Sequence, residues 1–427
     1  MKNYKINKSK IAIIGLGYVG LPLAVEFAKK KIVVGFDVNL KRINELKNNF
    51  DSSLEISKKK LKNSKNLTFS NIISDIKNCK IFIIAVPTPI NLNKKPDLKN
   101  LRKSSESIGR IIKKGDLIIY ESTVYPGATE EFCVPILEKQ SGLIFNKDFY
   151  CGYSPERINP GDKKHKINNI KKITSGSTPY IAQKVDNIYK EIIDAGTFKA
   201  STIKVAEAAK VIENTQRDVN IGLINELSLI FKRLNIDTEA VLKAASTKWN
   251  FVKFVPGLVG GHCIGVDPYY LTYKAMQSGY RPEMTLAGRK INDEMPYIVK
   301  NEIIEIMKRK KIKISNSKAL VMGLTFKENC PDTRNSGVVN LIYALIKSKI
   351  KVDVYDPYVE KNEIKKNFNL NIVDEPIIRK YNLIILAVAH DKFKKLSIKK
   401  VKSFGKRNHV LYDIKYLFDR SLVDGRL

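Results

Sequence analysis

The sequence predicts an α/β protein built as two doubly wound parallel-sheet domains joined by a long central helix. Three observations predict it. Apolar, strand-like runs alternate with amphipathic stretches through the first 200 residues. Residues 201–234 then read as one long helical stretch with no Pro and a single Gly, Gly222. Beyond residue 318 the strand–helix alternation returns. Such alternation marks a parallel sheet, because each crossover between parallel strands needs a dozen or more residues, commonly a helix.

In chain order, strands are expected at 10–14, 32–36, 80–86, 116–121, 149–152 and 171–175, with amphipathic helices at 21–30 and 40–47 between them. In the central stretch Val219, Leu223, Leu227 and Ile230 recur at helical spacing and offer an apolar face for a second copy of the chain. Further helix-like sequence follows, broken by the Gly/Pro-rich run VPGLVGGHCIGVDPYY at 255–270. The second half places strands at 319–322, 351–355, 383–389 and 409–413. The expected division is therefore 1–200, 201–305 and 306–427.

Composition bounds the function. A chain of 427 residues carries two to three domains, and 43% hydrophobic residues argue against disorder. Five cysteines, at 79, 133, 151, 263 and 330, form no CxxC pair and no disulfide framework. No metal site is expected, and a reducing, cytoplasmic setting is. The amino terminus imitates a signal peptide but is interrupted by glycines of a nucleotide-binding pattern. No apolar run is long enough to span a membrane. Lys and Arg exceed Asp and Glu by 76 to 43, for a net charge of +33. The lysines are dispersed along the chain, which fits compositional bias and solvated helix faces better than a nucleic-acid surface. The positive field still attracts anionic nucleotides.

Gly15-Leu16-Gly17-Tyr18-Val19-Gly20 follows an expected strand and opens a helix. That is a dinucleotide fingerprint: Gly15 permits the turn, Gly17 admits the pyrophosphate, and Gly20 lets helix and strand pack closely. It makes the first domain Rossmann-like. Asp37 lies 22 residues after Gly15, at the end of the next strand, where a carboxylate binds the ribose hydroxyls and repels a 2′-phosphate. NAD is thus favoured over NADP, with Arg42 expected to stack on or flank the adenine. Pro87 and Thr88, then Ser122 and Thr123, fall at strand ends on the ligand-binding rim. Glu156 and Arg157 follow a third strand on the same rim.

Cys263 stands among four glycines with Asp267 four residues on, in a loop suited to close backbone approach and to thiolate formation. Lys210 and Asn214 are four apart on the central helix and can converge on one developing oxyanion. In the second half, Lys327 and Arg334 are offered to phosphates, with Asp332 to position the arginine.

Together these segments resemble the nucleotide-sugar 6-dehydrogenases, the UDP-glucose/GDP-mannose dehydrogenase family. The resemblance runs from GLGYVGLPLA through SPERINPG, AEAAKVIENTQRDVNIGLINEL and PGLVGGHCIGVDPYYL to GLTFKENCPDTRNS. It is strongest to the branch acting on UDP-N-acetylglucosamine and UDP-N-acetylgalactosamine in bacterial surface polysaccharide synthesis. The resemblance implies that the first domain binds NAD, the central helix builds a homodimer or a multiple of it, and the last domain binds the UDP-sugar. It makes Cys263 the nucleophile, with Lys210, Asn214 and Asp267 around it, Glu156 as base and Thr123 holding water. Phe254, Pro256, Gly257 and Gly260, with Phe326 and Lys327, would contact the UDP-sugar, and Arg334 would reach the cofactor side. UDP-glucose enzymes often carry a second Glu where this chain has Pro160, so the N-acetylated sugars are preferred. Two other classes compete: a two-electron hydroxyacid dehydrogenase, which would not need Cys263, and a basic nucleic-acid-binding protein.

Overall fold

The computed structural model describes residues 10–91, 93–156, 167–261 and 264–427. These residues pack into two compact units. The first takes the described residues of Met1–Glu213 with Tyr269–Tyr280, and the second takes those of Asn214–Pro268 with Arg281–Leu427. The central segment is thus shared between two units rather than standing as a third body.

The first unit holds an eight-stranded sheet: β1 (Ile11–Ile14), β2 (Val33–Phe36), β3 (Leu67–Ser70), β4 (Ile81–Ile84), β5 (Leu117–Tyr120), β6 (Tyr150–Tyr153), β7 (Lys172–Gly176) and β8 (Thr197–Lys199). Their order is β3-β2-β1-β4-β5-β6-β7-β8, so the winding reverses between β1 and β4. The four residues of β1, β2, β4 and β5 are all buried, as strands covered by helices on both faces must be. One pair departs from the expected parallel sheet: β7 runs antiparallel to β6, with Gly152 opposite Gly176. A Cβ on Gly176 would fall 2.4 Å from the Ala182 nitrogen, so the following helix sits directly on the turn out of β7.

The second unit repeats the plan. Strands β9 (Lys318–Met322), β10 (Lys351–Tyr355), β11 (Asn371–Ile372), β12 (Tyr381–Leu386), β13 (Gly405–Asp413) and β14 (Gly425–Arg426) lie in the order β11-β10-β9-β12-β13-β14, all parallel. The helix Gly337–Lys347 buries Val338, Val339, Leu341, Ile342 and Leu345 on this sheet. The long stretch expected at 201–234 is a helix over Ile203–Arg233. A second long helix, Glu283–Arg309, tolerates Pro296 within it. The two helices meet at Gly222 and Gly288, where a Cβ on Gly222 would fall 2.9 Å from the Gly288 Cα. No described helix is long and apolar enough to cross a membrane.

Candidate active site

The glycine loop after β1 has the geometry its sequence demands. Gly15 has φ +91°, and a Cβ there would lie 2.7 Å from the Ala85 carbonyl oxygen. A Cβ on Gly20 would lie 1.8 Å from the Gly15 carbonyl oxygen, so only glycine lets the helix Gly20–Ala28 start so close to the turn. A Cβ on Gly17 meets nothing within 4 Å. Gly17 therefore faces open space, which is what a ligand phosphate needs. Tyr18 and Val19 complete the turn, Val19 as the residue before the helix.

Asp37, just past β2, accepts the Leu16 N–H on one carboxylate oxygen and the Asn39 N–H on the other, each at 2.9 Å. Both oxygens keep lone pairs for a ribose. Asp37 and Gly15 line a cavity of about 200 Å³ with Val38, Pro87, Asn100 and Ser104. Its position between β1 and β4 is the switch point where open α/β sheets bind nucleotides. These residues fit NAD. Arg42 is engaged elsewhere: its guanidinium donates to the Leu16 carbonyl at 3.0 Å and to Asp51 at 2.7 Å. It braces the glycine loop, and any adenine contact must use a face of this fixed group.

The rim loops are tied to one another. The Ser122 hydroxyl donates to the Val86 carbonyl and the Thr88 hydroxyl to the Thr123 carbonyl, both at 2.7 Å. Tyr270 donates to the Thr88 carbonyl at 3.0 Å. Ser122 and Thr88, expected as cofactor contacts, thus also fix the loop that carries Thr123. Glu207, on the long helix, accepts the Gly127 and Thr129 N–H groups at 2.5 and 2.9 Å. Burial raises its carboxyl to about 7 against these bonds. Glu156 is buried directly after Ser154 and Pro155.

Lys210 and Asn214 are both buried, one turn apart on the long helix. The Asn214 amide donates to Asp267 at 2.6 Å, and Asp267 is 1% exposed. The pair joins the long helix to the residue that opens the helix Asp267–Gln277. Cys263 and Arg157 lie outside the described residues. The other cysteines, at 79, 133, 151 and 330, are buried. Burial raises the first two thiols to about 11 and about 12, and Cys151 well above the ordinary value. None of these three offers a thiolate near neutral pH.

In the second unit the glycine-rich run is held by its own chain. Gly261 has φ +92°, and a Cβ there would lie 2.8 Å from the Phe326 ring. A Cβ on Gly260 would lie 2.8 Å from the Asn335 carbonyl oxygen. The close backbone approach expected for a substrate is here made by the 326–335 segment, which carries Phe326, Lys327 and Arg334. Asp332 grips Arg334 through its Nε and Nη2 atoms, with bonds of 2.5 to 3.1 Å. A Cβ on Gly257 would meet nothing within 4 Å, whereas Phe254 is half-buried and Pro256 buried.

Three features escaped sequence reasoning. Asn225 accepts the Gly257 N–H at 2.8 Å and donates to its carbonyl at 3.1 Å, fixing the glycine-rich run to the long helix. Asp356, at the end of β10, accepts the Leu324 N–H at 2.6 Å, much as Asp37 accepts that of Leu16. His390 bonds the same carboxylate at 3.1 Å and accepts the Asn329 N–H at 2.9 Å. An acid at the end of the strand following a glycine turn, Gly323 with φ +95°, was the available signal.

The first unit can hold a dinucleotide, and the second holds the buried Asn214–Asp267 amide–carboxylate pair. Comparison with known proteins agrees. The NAD binding, central and UDP binding domains of the UDP-glucose/GDP-mannose dehydrogenase family match residues 9–193, 204–294 and 320–420. A UDP-N-acetyl-D-glucosamine 6-dehydrogenase of Pseudomonas aeruginosa is 59% identical over 98% of this chain and 99% of its own. One of Salmonella typhi is 57% identical over 99% and 100%. A UDP-D-ManNAc dehydrogenase structure from Pyrococcus horikoshii superposes with TM-score 0.86 at 29% identity, covering 96% of each chain. With its three domains matched in order along nearly the whole sequence, the chain belongs to the UDP-glucose/GDP-mannose dehydrogenase family, as an NAD-dependent dehydrogenase of nucleotide sugars.

Proposed function

We propose that the protein oxidises C6 of UDP-N-acetylglucosamine from alcohol to carboxylate through a covalent intermediate on Cys263. The observation that carries the chemistry is the buried Asn214–Asp267 pair, whose Asp267 stands four residues after Cys263 in the sequence. The sugar is chosen from two relatives above 55% identity, both named for that substrate.

NAD, when bound, supplies the hydride acceptor for each oxidation. The chain does the rest. The Cys263 thiolate adds to the C6 aldehyde carbon, forming a C–S bond, while Lys210 and Asn214 stabilise the negative oxygen. Asp267 fixes the Asn214 amide so that its donor needs no reorganisation. Oxidation of this adduct leaves a thioester. Water held at Thr123 gives a proton to Glu156 and adds to the acyl carbon; the C–S bond breaks and the thiolate leaves. A covalent tether keeps the aldehyde in place between the two oxidations.

The active form is proposed to be a homodimer built on the long helix. Leu223 is 50% exposed and Ile230 44%, with Leu227 between them on the same face. Light scattering should give about twice 48.5 kDa; a mass near 48.5 kDa at working concentration would remove the dimer. The thiols at 79, 133, 151 and 330, none of them in a disulfide, suit a cytoplasmic setting. The substrate is tested by NADH formation with UDP-N-acetylglucosamine, UDP-N-acetylgalactosamine, UDP-N-acetylmannosamine and UDP-glucose. Turnover of UDP-glucose equal to that of the first would overturn the assignment.

A further inference from the structure

Behind the rim of the first unit lies a buried ion pair that the chemistry above does not use. Lys172, the first residue of β7, is 3% exposed, and Glu121, just past β5, is 1% exposed. Their side chains meet at 2.6 Å. The other Glu121 oxygen accepts the Tyr189 hydroxyl at 2.5 Å. The ammonium also donates to the Pro155 carbonyl at 2.9 Å and reaches the Ser154 carbonyl at 3.4 Å. Those carbonyls belong to the two residues immediately before Glu156. Glu121 stands two residues before Thr123.

A buried ion pair is a weak source of stability, since apolar residues of the same shape fill such space as well. What a cation offers that an apolar side chain cannot is a directional grip on carbonyl oxygens. Here three acceptors from two strand-end loops converge on one ammonium. We infer that Lys172, anchored by Glu121, is a positioning residue that sets the spacing between Thr123 and Glu156 for attack of water on the thioester. This rests on the proposed role of Glu156 as base. In the step concerned, water loses its proton to Glu156, its oxygen bonds the acyl carbon, the C–S bond breaks and Cys263 leaves as thiolate; no electrons are exchanged.

The test compares Lys172→Met, Lys172→Met with Glu121→Gln, Lys172→Arg and Glu156→Gln with the unaltered enzyme, using UDP-N-acetylglucosamine and NAD. Rapid mixing reads the first-turnover burst of NADH, and acid quench with intact-protein mass spectrometry reads the acyl adduct on Cys263. Misplacing a catalytic group by about 1 Å costs on the order of 10²-fold. The Met variants should therefore lose the adduct about 10²-fold more slowly, with the burst within about twofold of normal. Arginine, which keeps a cation with several donors, should restore most of the rate. The double variant leaves no buried charge unpaired, so it guards against simple misfolding. If Glu156→Gln accumulates adduct but the Met variants clear it at the normal rate, the inference is wrong and the covalent reading stands. If no variant, Glu156→Gln included, ever shows the adduct, the covalent reading itself fails. If neither Met variant binds NAD, the pair serves folding and the positioning role is overturned.

Discussion

Replacing Asp37 with Asn probes the cofactor choice at its physical source. The carboxylate cannot swing away from a 2′-phosphate, because the Leu16 and Asn39 N–H groups hold its two oxygens at 2.9 Å each. At about 4 Å and an effective dielectric of about 20, two unit charges repel by roughly 4 kcal/mol. That corresponds to about 10³-fold discrimination against NADP. Arg42 does not offset it, since its guanidinium is already shared with Asp51 at 2.7 Å and Glu45 at 3.6 Å. Asparagine removes the charge but has one carbonyl oxygen for two N–H donors. One backbone donor then faces an amide NH₂, at a cost of about 1–3 kcal/mol. The variant should use NAD less well and NADP better, narrowing the kcat/KM ratio from about 10³ towards unity. The assay is initial-rate formation of reduced cofactor at saturating UDP-sugar. An unchanged ratio in the variant, or equal use of both cofactors by the unaltered enzyme, would refute the role given to Asp37.

Two further substitutions test how the loops are held. Glu207, with a folded value of about 7 against an ordinary 4.5, holds its proton more tightly in the folded state. Stability should therefore fall as pH rises from about 4.5 to about 7, by roughly 3 kcal/mol from this group. Urea titrations across that range should show the slope reduced in Glu207→Gln; an identical slope would mean the group titrates normally. Asn225→Leu strands the half-buried Gly257 N–H and carbonyl, which costs at most about 1–3 kcal/mol per group. The expected result is a raised KM for the UDP-sugar with kcat less affected, and an unchanged KM would separate Gly257 from substrate binding.

The fold was legible wherever local sterics or periodicity decide. The helix expected at 40–47 is observed at Leu40–Lys47, because Asn39 caps it by accepting the Arg42 N–H. The fingerprint was legible because Gly15 and Gly20 admit no side chain. The edge strands β3 and β8 were missed: each is short, and β3 is half exposed, so no apolar run announces them. The antiparallel sense of β7 was not legible either, since the patterning of its five residues does not depend on chain direction and pairing decides the sense. Asn225, Lys172 and Glu207 stayed hidden because their partners lie 32, 51 and 80 residues away. Their roles come from tertiary convergence, which spacing along the chain does not encode.

The central claim is that Cys263 carries the sugar between its two oxidations. Serine in its place has nearly the same shape but is scarcely ionised at neutral pH, so it is a far weaker nucleophile. The first oxidation needs no thiol, and NAD and UDP-sugar affinities should change little. The second should fall by about 10³-fold, equivalent to roughly 4 kcal/mol of transition-state stabilisation. The measurement is the rate of uronic acid formed from UDP-N-acetylglucosamine by Cys263→Ser, read by mass spectrometry beside NADH. The account predicts almost no uronic acid; a rate near that of the unaltered enzyme would contradict the covalent mechanism.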